Sequence, residues 1–503
     1  MGETHSRDSI SYKLLACLGL TVLASAVGYT RPTAAANTPL VVDGVDCSRL
    51  AELDIDKQVN MRAMMIRIEC GLEEAPAEWR EREGGQEQLG PIANGPGGPA
   101  NVNTITDETT PFIQSESMVW SNGETIVVLY NDFQPPAFSG ISVSTDSGAS
   151  FTRLRPSPFS TGHGSNSGDP VVVYNAALGS WFAGYLVGGC GGGVGLWSSA
   201  DGLNWSSGEC ATPGGADRES MWVDNNADSP YYGRMYISWN GTGLRLMATY
   251  SDDGSTWSAP QMLTTNFIRN MQVTGSPTDG TVFIVGLDEG GGGLNNRTNL
   301  LYRSIDGGAS WTTTVMGPPF APPGDGVCGY FAKINPIWRH MGWGQPGVGP
   351  FGVVHYAYAG RGINPGDTGD IFYTVSFDNG DTWSDPIVLN NDAAKGGTGT
   401  QWMPSLSVGL DGQVHVSWYD RRNSTDGMNY EFWGVRSPDN GLTWLPDERV
   451  SDVLIEQPQE GGCYAGDYNY HTAFGNEHYL TWTDGRNLLG GHFQQDVYFA
   501  KLP

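Results

Sequence analysis

Residues 304–311 read Ser-Ile-Asp-Gly-Gly-Ala-Ser-Trp, and the same pattern of serine, aspartate, glycine and aromatic returns along the chain. It recurs at Ser144-Asp146-Gly148-Phe151, Ser376-Asp378-Gly380-Trp383 and Ser437-Asp439-Gly441-Trp444, and one residue shorter at Ser199-Asp201-Gly202-Trp205 and Ser251-Asp253-Gly254-Trp257. Successive aspartates lie 55, 52, 53, 72 and 61 residues apart. A period near 50 residues means stacked supersecondary units. Asp and Gly make a tight turn, the carboxylate accepting backbone N–H groups and the glycine taking φ > 0. The aromatic is placed to bury itself between neighbouring units. These motifs are therefore read as structural hairpins between the third and fourth strands of each unit.

Alternating apolar runs precede each motif, at 116–131, 169–187, 219–240, 270–287, 333–358 and 403–419, and a seventh pair follows at 468–482. Period-two alternation between glycine-rich turns marks strands. The last unit has a third strand at 496–502 but no motif after it, and residues 102–110 are free to supply its fourth. Closing the ring in this way removes exposed sheet edges. The expected fold is an all-β, seven-bladed β-propeller over residues 102–503, six blades being the alternative count, preceded by a small helical, cysteine-bounded segment.

Composition agrees with many short strands. Among 503 residues 71 are glycine, and only 16% are charged. With 27 Lys plus Arg against 54 Asp plus Glu the formal charge is −27, which disfavours nucleic acid and anionic membranes as partners. Residues 1–36 read as an export signal, with Arg7 and Lys13 before an apolar run, Leu14 to Tyr29, too short to span a membrane. Residues 37–83 form the cysteine-bounded segment, and 84–101 are a Gly/Pro linker. After Cys17 is discarded with the signal, six cysteines remain. In an exported chain they suggest disulfides: Cys47 with Cys70 and Cys190 with Cys210 are natural local pairs, leaving Cys328 with Cys463 among 15 connectivities. A secreted monomer is expected.

Repeated motifs of this kind resemble the sialidase superfamily of Asp-box, or BNR-repeat, propellers. The segments 115–132, 168–175, 217–239, 417–423 and 466–487 are similar to those of secreted bacterial sialidase-like proteins. The resemblance implies an arginine clamp on a sugar carboxylate, an aspartic acid as acid/base, and a tyrosine nucleophile. The place of the family's first clamp arginine reads Pro111-Phe112-Ile113-Gln114-Ser115-Glu116, without an arginine.

Loops entering each first strand and leaving each second strand converge on the central funnel, where such a fold takes its ligand. Asp467, with Asp132 as the alternative, is the candidate acid/base there, and Tyr468 the nucleophile or proton shuttle. Arg218, Arg269 and Arg421 are candidate anion binders, with Glu219 and Trp402 beside them in the substrate site. The pairs Asp420/Arg422 and Asp484/Arg486 share the pattern W-x-D-x-R-N, which reads as a loop-locking salt bridge. No cofactor is required, although Glu116, Asp169, Glu219 and Asp467 could form an acidic collar for Ca²⁺. The expected activity is hydrolysis of an anionic glycan. The alternatives are a non-catalytic glycan- or protein-binding propeller, and a polysaccharide lyase using His163, Tyr468 and Arg218.

Overall fold

The computed structural model describes residues 40–73, 100–108, 112–133, 138–334, 338–457 and 463–503. The proposed signal, residues 1–36, and nearly all of the 84–101 linker lie outside the described residues.

The chain is all-β apart from one α-helix, Met61–Glu69, and short 3-10 turns among the described residues. Seven antiparallel sheets have four strands each. We number them I to VII by their innermost strands: Gln114–Ser121, Val171–Asn175, Asp217–Val223, Arg269–Gly275, Gln345–Val348, Gln401–Val408 and Thr472–Phe474. Each innermost strand neighbours that of the next sheet, and the strand of sheet VII returns to that of sheet I. Sheet VII is completed from the other end of the chain, Val102 pairing with Phe499 and Asn103 with Tyr498. The fourth strand expected from residues 102–110 is therefore there, although only Val102–Asn103 are paired.

The repeated serine–aspartate turns link third to fourth strands and clasp neighbouring sheets. In the turn of sheet VI, Ser437 Oγ donates to Asp439 at 3.0 Å while accepting from Gly441 N–H at 2.8 Å. The aromatic then packs on the preceding sheet: Phe151 meets Phe499 edge-on at 5.0 Å, and Trp444 meets Tyr373 at 4.7 Å. The turn's glycine is needed for the same contact. A Cβ on Gly441, at φ 78°, would lie 1.9 Å from the Tyr373 hydroxyl, and one on Gly254 would lie 2.3 Å from Phe182.

Three disulfides, Cys47–Cys70, Cys190–Cys210 and Cys328–Cys463, match the expected pairs. The third ties a three-stranded insertion between sheets IV and V (Gly326–Cys328, Phe331–Ile334, Trp338–Arg339) to the approach to sheet VII. No described helix is long and apolar enough to cross a membrane.

Candidate functional site

The innermost strands break register where they start. Bulges fall between Ser115 and Met118, Asp217 and Ser220, Arg269 and Gln272, and Trp402 and Ser405. A bulge re-aims a side chain away from the sheet face. Within these bulges Glu116, Arg218, Asn270 and Met403 have φ of 54°, 48°, 57° and 53°, and Asp169 has 58° just before the first strand of sheet II. Left-handed backbone at non-glycine residues costs energy and tends to gather at functional sites.

Hydrogen bonds then link one sheet to the next around the centre. Asp467 N–H donates to Glu116 Oε1 at 3.0 Å, joining VII to I. Asn131 donates to Glu116 Oε2 at 2.6 Å and accepts from Asp169 N–H at 2.8 Å, joining I to II. Arg218 N–H donates to Asp169 at 3.1 Å, and the Arg218 guanidinium donates to Asn270 at 3.0 Å, carrying the chain through III to IV.

Three buried arginines meet over three aromatic rings. Arg218 lies between Trp343 and Tyr468, 4.3 Å from each ring centre. Arg269 also faces Trp343, at 5.8 Å, and shares the Phe331 ring with Arg339, at 5.8 and 4.4 Å. Weakly hydrated guanidinium suits such stacking. Arg339 holds Asp467 through both oxygens, at 2.9 and 2.6 Å.

The cluster is left with spare polar groups. Arg218 Nε and Nη1, both Glu219 oxygens, Asp169 Oδ1 and the Tyr468 hydroxyl have no hydrogen-bond partner among the described residues. Burial, with Asp169 and Asp467 beside it, pushes the Glu116 carboxyl well above the usual range. Burial and then Glu219 do the same to Asp169, and burial with Asp217 to Glu219. Carboxyls raised in this way hold a proton more tightly than free ones, the direction a general acid needs. Burial also raises Tyr468, helped by Asp169 and Glu116, which suits a proton carrier better than a free phenolate.

The structure closes the funnel over this cluster. Asp467, Tyr468, Arg218, Glu219 and Arg269 are each at most 4% exposed. The cover is the N-terminal segment. Asp217 accepts from Val59 N–H at 3.1 Å and from Asn60 N–H and Nδ2 at 3.0 and 2.8 Å. Arg269 donates to the Lys57 carbonyl. Val59 packs among Leu287, Phe331, Ala332, Met341 and Trp343.

Of the residues expected at the site, Arg218, Glu219, Arg269, Asp467 and Tyr468 come together, with Glu116 and Asp169. Asp132 does not join them: it pairs with Arg153, which Glu108 also holds at 2.6 Å. Arg421 does not join them either: it is buried, donating to Met428 O at 3.2 Å and Gln457 at 2.9 Å, with its guanidinium over Trp402. Trp402 itself is packed among Trp338, Tyr419 and Tyr430. The neighbouring Asp420/Arg422 and Asp484/Arg486 pairs are loop locks, each aspartate also accepting from its own tryptophan at 2.8 Å. His163 is buried edge-on to Trp197 with Nε2 3.0 Å from Leu196 O, outside the cluster. Of the acidic collar, Asp467 is on Arg339 and Glu116 accepts at both oxygens, whereas both Glu219 oxygens and Asp169 Oδ1 have no hydrogen-bond partner among the described residues. The one described group with three metal-ligand atoms close together is His163 with Cys190 and Cys210, whose sulfurs form a disulfide. Arg339 was missed because it stands in the insertion, outside the repeat. Only the nearby Cys328 hinted that this insertion is anchored.

Fold and site together define an all-β ring of four-stranded sheets with a buried cationic and acidic centre. No protein-family model matches the chain, and no curated protein matches its sequence. Among solved structures it is similar to a lectin from Burkholderia pseudomallei, at 10% identity, covering 78% of this chain and 96% of that one, TM-score 0.48. It is also similar to an ulvan lyase of a new polysaccharide lyase family, at 12% identity, covering 82% and 95%, TM-score 0.44. A protein of unknown function from Dyadobacter fermentans aligns at 14% identity over 80% and 97%, TM-score 0.42.

Proposed function

We propose that this is an exported, seven-bladed, sialidase-like propeller that hydrolyses a glycosidic bond in an anionic glycan at its buried centre. The observation that carries the reading is Arg218, held between Trp343 and Tyr468 with two donor nitrogens unspent, beside carboxyls whose pKa is raised. Guanidinium groups in a dry site bind a sugar carboxylate strongly. In this reading Arg218, Arg269 and Arg339 take the substrate's carboxylate. Glu219 or Asp169, protonated, donates to the leaving oxygen. Tyr468 either attacks the anomeric carbon as the glycosidic bond breaks, passing its proton to whichever of Glu219 and Asp169 is ionised, with water then cleaving the glycosyl–tyrosine bond, or relays a proton from an attacking water to that carboxylate. Asp467 is a positioning residue that fixes Arg339, a change from the acid/base role expected of it.

A non-catalytic glycan binder is the second reading. It is favoured by Glu116, whose two oxygens are both spent joining sheets. The test is a screen of the purified chain against 4-methylumbelliferyl glycosides, sialosides included, and against uronate polymers, with Tyr468→Phe and Glu219→Gln alongside. Turnover lost in both variants supports hydrolysis. Turnover kept in both removes the site assignment. A rise at 235 nm on uronate polymers selects elimination instead.

A further inference from the structure

We propose that residues Asp54–Asn60 are a resident occupant of the arginine site, and that a carboxylate ligand must displace them to bind. This inference rests on the reading of the arginines as an anion site. The segment offers oxygens where an anionic ligand would offer its own: Lys57 O accepts from Arg269, and Val59 O lies 3.5 Å from Arg339 Nη2. Two of the three arginines thus meet main-chain carbonyls of the cover. A carbonyl is a weaker acceptor for guanidinium than a carboxylate.

The fit is incomplete. Arg269 Nη1 and Nε reach Asp217 and Glu289 only at 3.8 and 3.6 Å, Arg339 Nη1 reaches Glu73 only at 3.8 Å, and none of these buried nitrogens makes a hydrogen bond among the described residues. A charged ligand with two oxygens could use these donors, and the segment does not. Such a mismatch favours exchange, because buried donors left unmade are costly.

The segment is also built to move as a unit. It has its own disulfide, Cys47–Cys70, and its own core of Val45, Leu50, Ile55, Ala63 and Ile66. Its ion pairs Arg49–Glu52, Lys57–Asp54 and Arg62–Asp43 close on itself, as does Arg67–Glu73, and the one ion pair among the described residues that crosses to the ring, Glu73 with Arg339, is long at 3.8 Å. Clefts of about 460 and 200 Å³ border residues 54–62 on two sides.

The experiment measures access to the arginines in the full chain. Phenylglyoxal modification of Arg218, Arg269 and Arg339 is followed by mass spectrometry, with exposed Arg245 as internal reference. We expect the three to react at least about tenfold more slowly than Arg245, and to approach its rate in Val59→Asp or in a Cys47→Ser, Cys70→Ser double variant. Glucuronate or N-acetylneuraminate, but not glucose, should then protect them. Hydrogen exchange of the unaltered chain covers the case of a variant that does not fold. The Val59 and Asn60 amides should open locally, well before those of Val172 and Val173 in the core of sheet II. Arginines as reactive as Arg245 in the native chain would overturn the proposal. So would amides at 59 and 60 that exchange only on global unfolding. Arginines that open without protection by any carboxylate sugar would leave the displaceable cover standing and sink the glycan reading.

Discussion

Arg339 and Asp467, 128 residues apart in sequence, form a fully buried two-point ion pair at 2.9 and 2.6 Å. It joins the insertion after sheet IV to the entry of sheet VII, and Cys328–Cys463 fastens the same two regions. Removing one partner of such a pair strands a charge in a dry interior. Asp467→Asn and Arg339→Met should therefore each lower unfolding free energy by about 3–5 kcal/mol. The double variant Asp467→Leu, Arg339→Met should recover much of that loss. Urea unfolding of the three proteins checks this, and a double variant worse than the sum of the singles would refute it.

A matched pair of glycines tests the clasp between sheets. Gly427 has φ 69° and open space around its absent Cβ, whereas Gly441 has φ 78° and the Tyr373 hydroxyl 1.9 Å from it. Alanine at 427 meets backbone strain alone and should cost about 1 kcal/mol. Alanine at 441 must also push Tyr373 out of the neighbouring sheet, and should cost about 2–4 kcal/mol. Thermal midpoints that fall equally in the two variants would mean the turn glycine serves its own hairpin and not the ring.

How much of this was legible in the chain depends on range. The six serine–aspartate turns and the unpaired last unit are local signals of fixed spacing, so the sheets and the closure by Val102–Asn103 follow from them. Asp467, Tyr468, Arg218 and Arg269 could be placed at strand entries by the same period. The bulges that turn Glu116, Arg218 and Asn270 into the left-handed region carry no residue signature, since those positions are not glycine. Nor could sequence show that Val59 reaches Asp217, 158 residues on. Asp132 and Arg421 sit at equivalent strand exits but find partners in Arg153 and Gln457, a choice made by tertiary packing.

Burial gives one histidine a measurable pH signature. His355 is pushed down to about 3 by desolvation, with its Nδ1 2.6 Å from the Tyr373 hydroxyl. A depressed folded pKa means the native state binds fewer protons than the unfolded chain. The neutral histidine's contribution is then complete above about 6.5 and is lost as pH falls toward 3. His355→Gln removes this proton linkage. The stability gap between wild type and variant should shrink by about 1.4 kcal/mol per pH unit between roughly pH 6 and pH 4. A gap independent of pH, measured by urea unfolding across that range, would show that His355 titrates normally in the fold.

Tyr468 separates chemistry from architecture. Its hydroxyl has no hydrogen-bond partner among the described residues, while its ring stacks on Arg218 and lies 4.6 Å from Tyr470. Tyr468→Phe keeps the ring and deletes only the oxygen, so stability should change by less than about 0.5 kcal/mol, or rise as an unsatisfied polar atom leaves. Under the hydrolytic reading the same deletion removes the group that attacks or relays a proton, and kcat should fall about 10²–10⁴-fold on whichever glycoside is turned over. Under the binding reading a ligand's affinity should barely move, because the ring that faces Arg218 is intact. Arg218→Met tests the other half: it should weaken binding of a carboxylate sugar in either case, and leave a neutral sugar unaffected. A phenylalanine variant that loses stability and activity together would place the hydroxyl in the architecture and take Tyr468 out of the reaction.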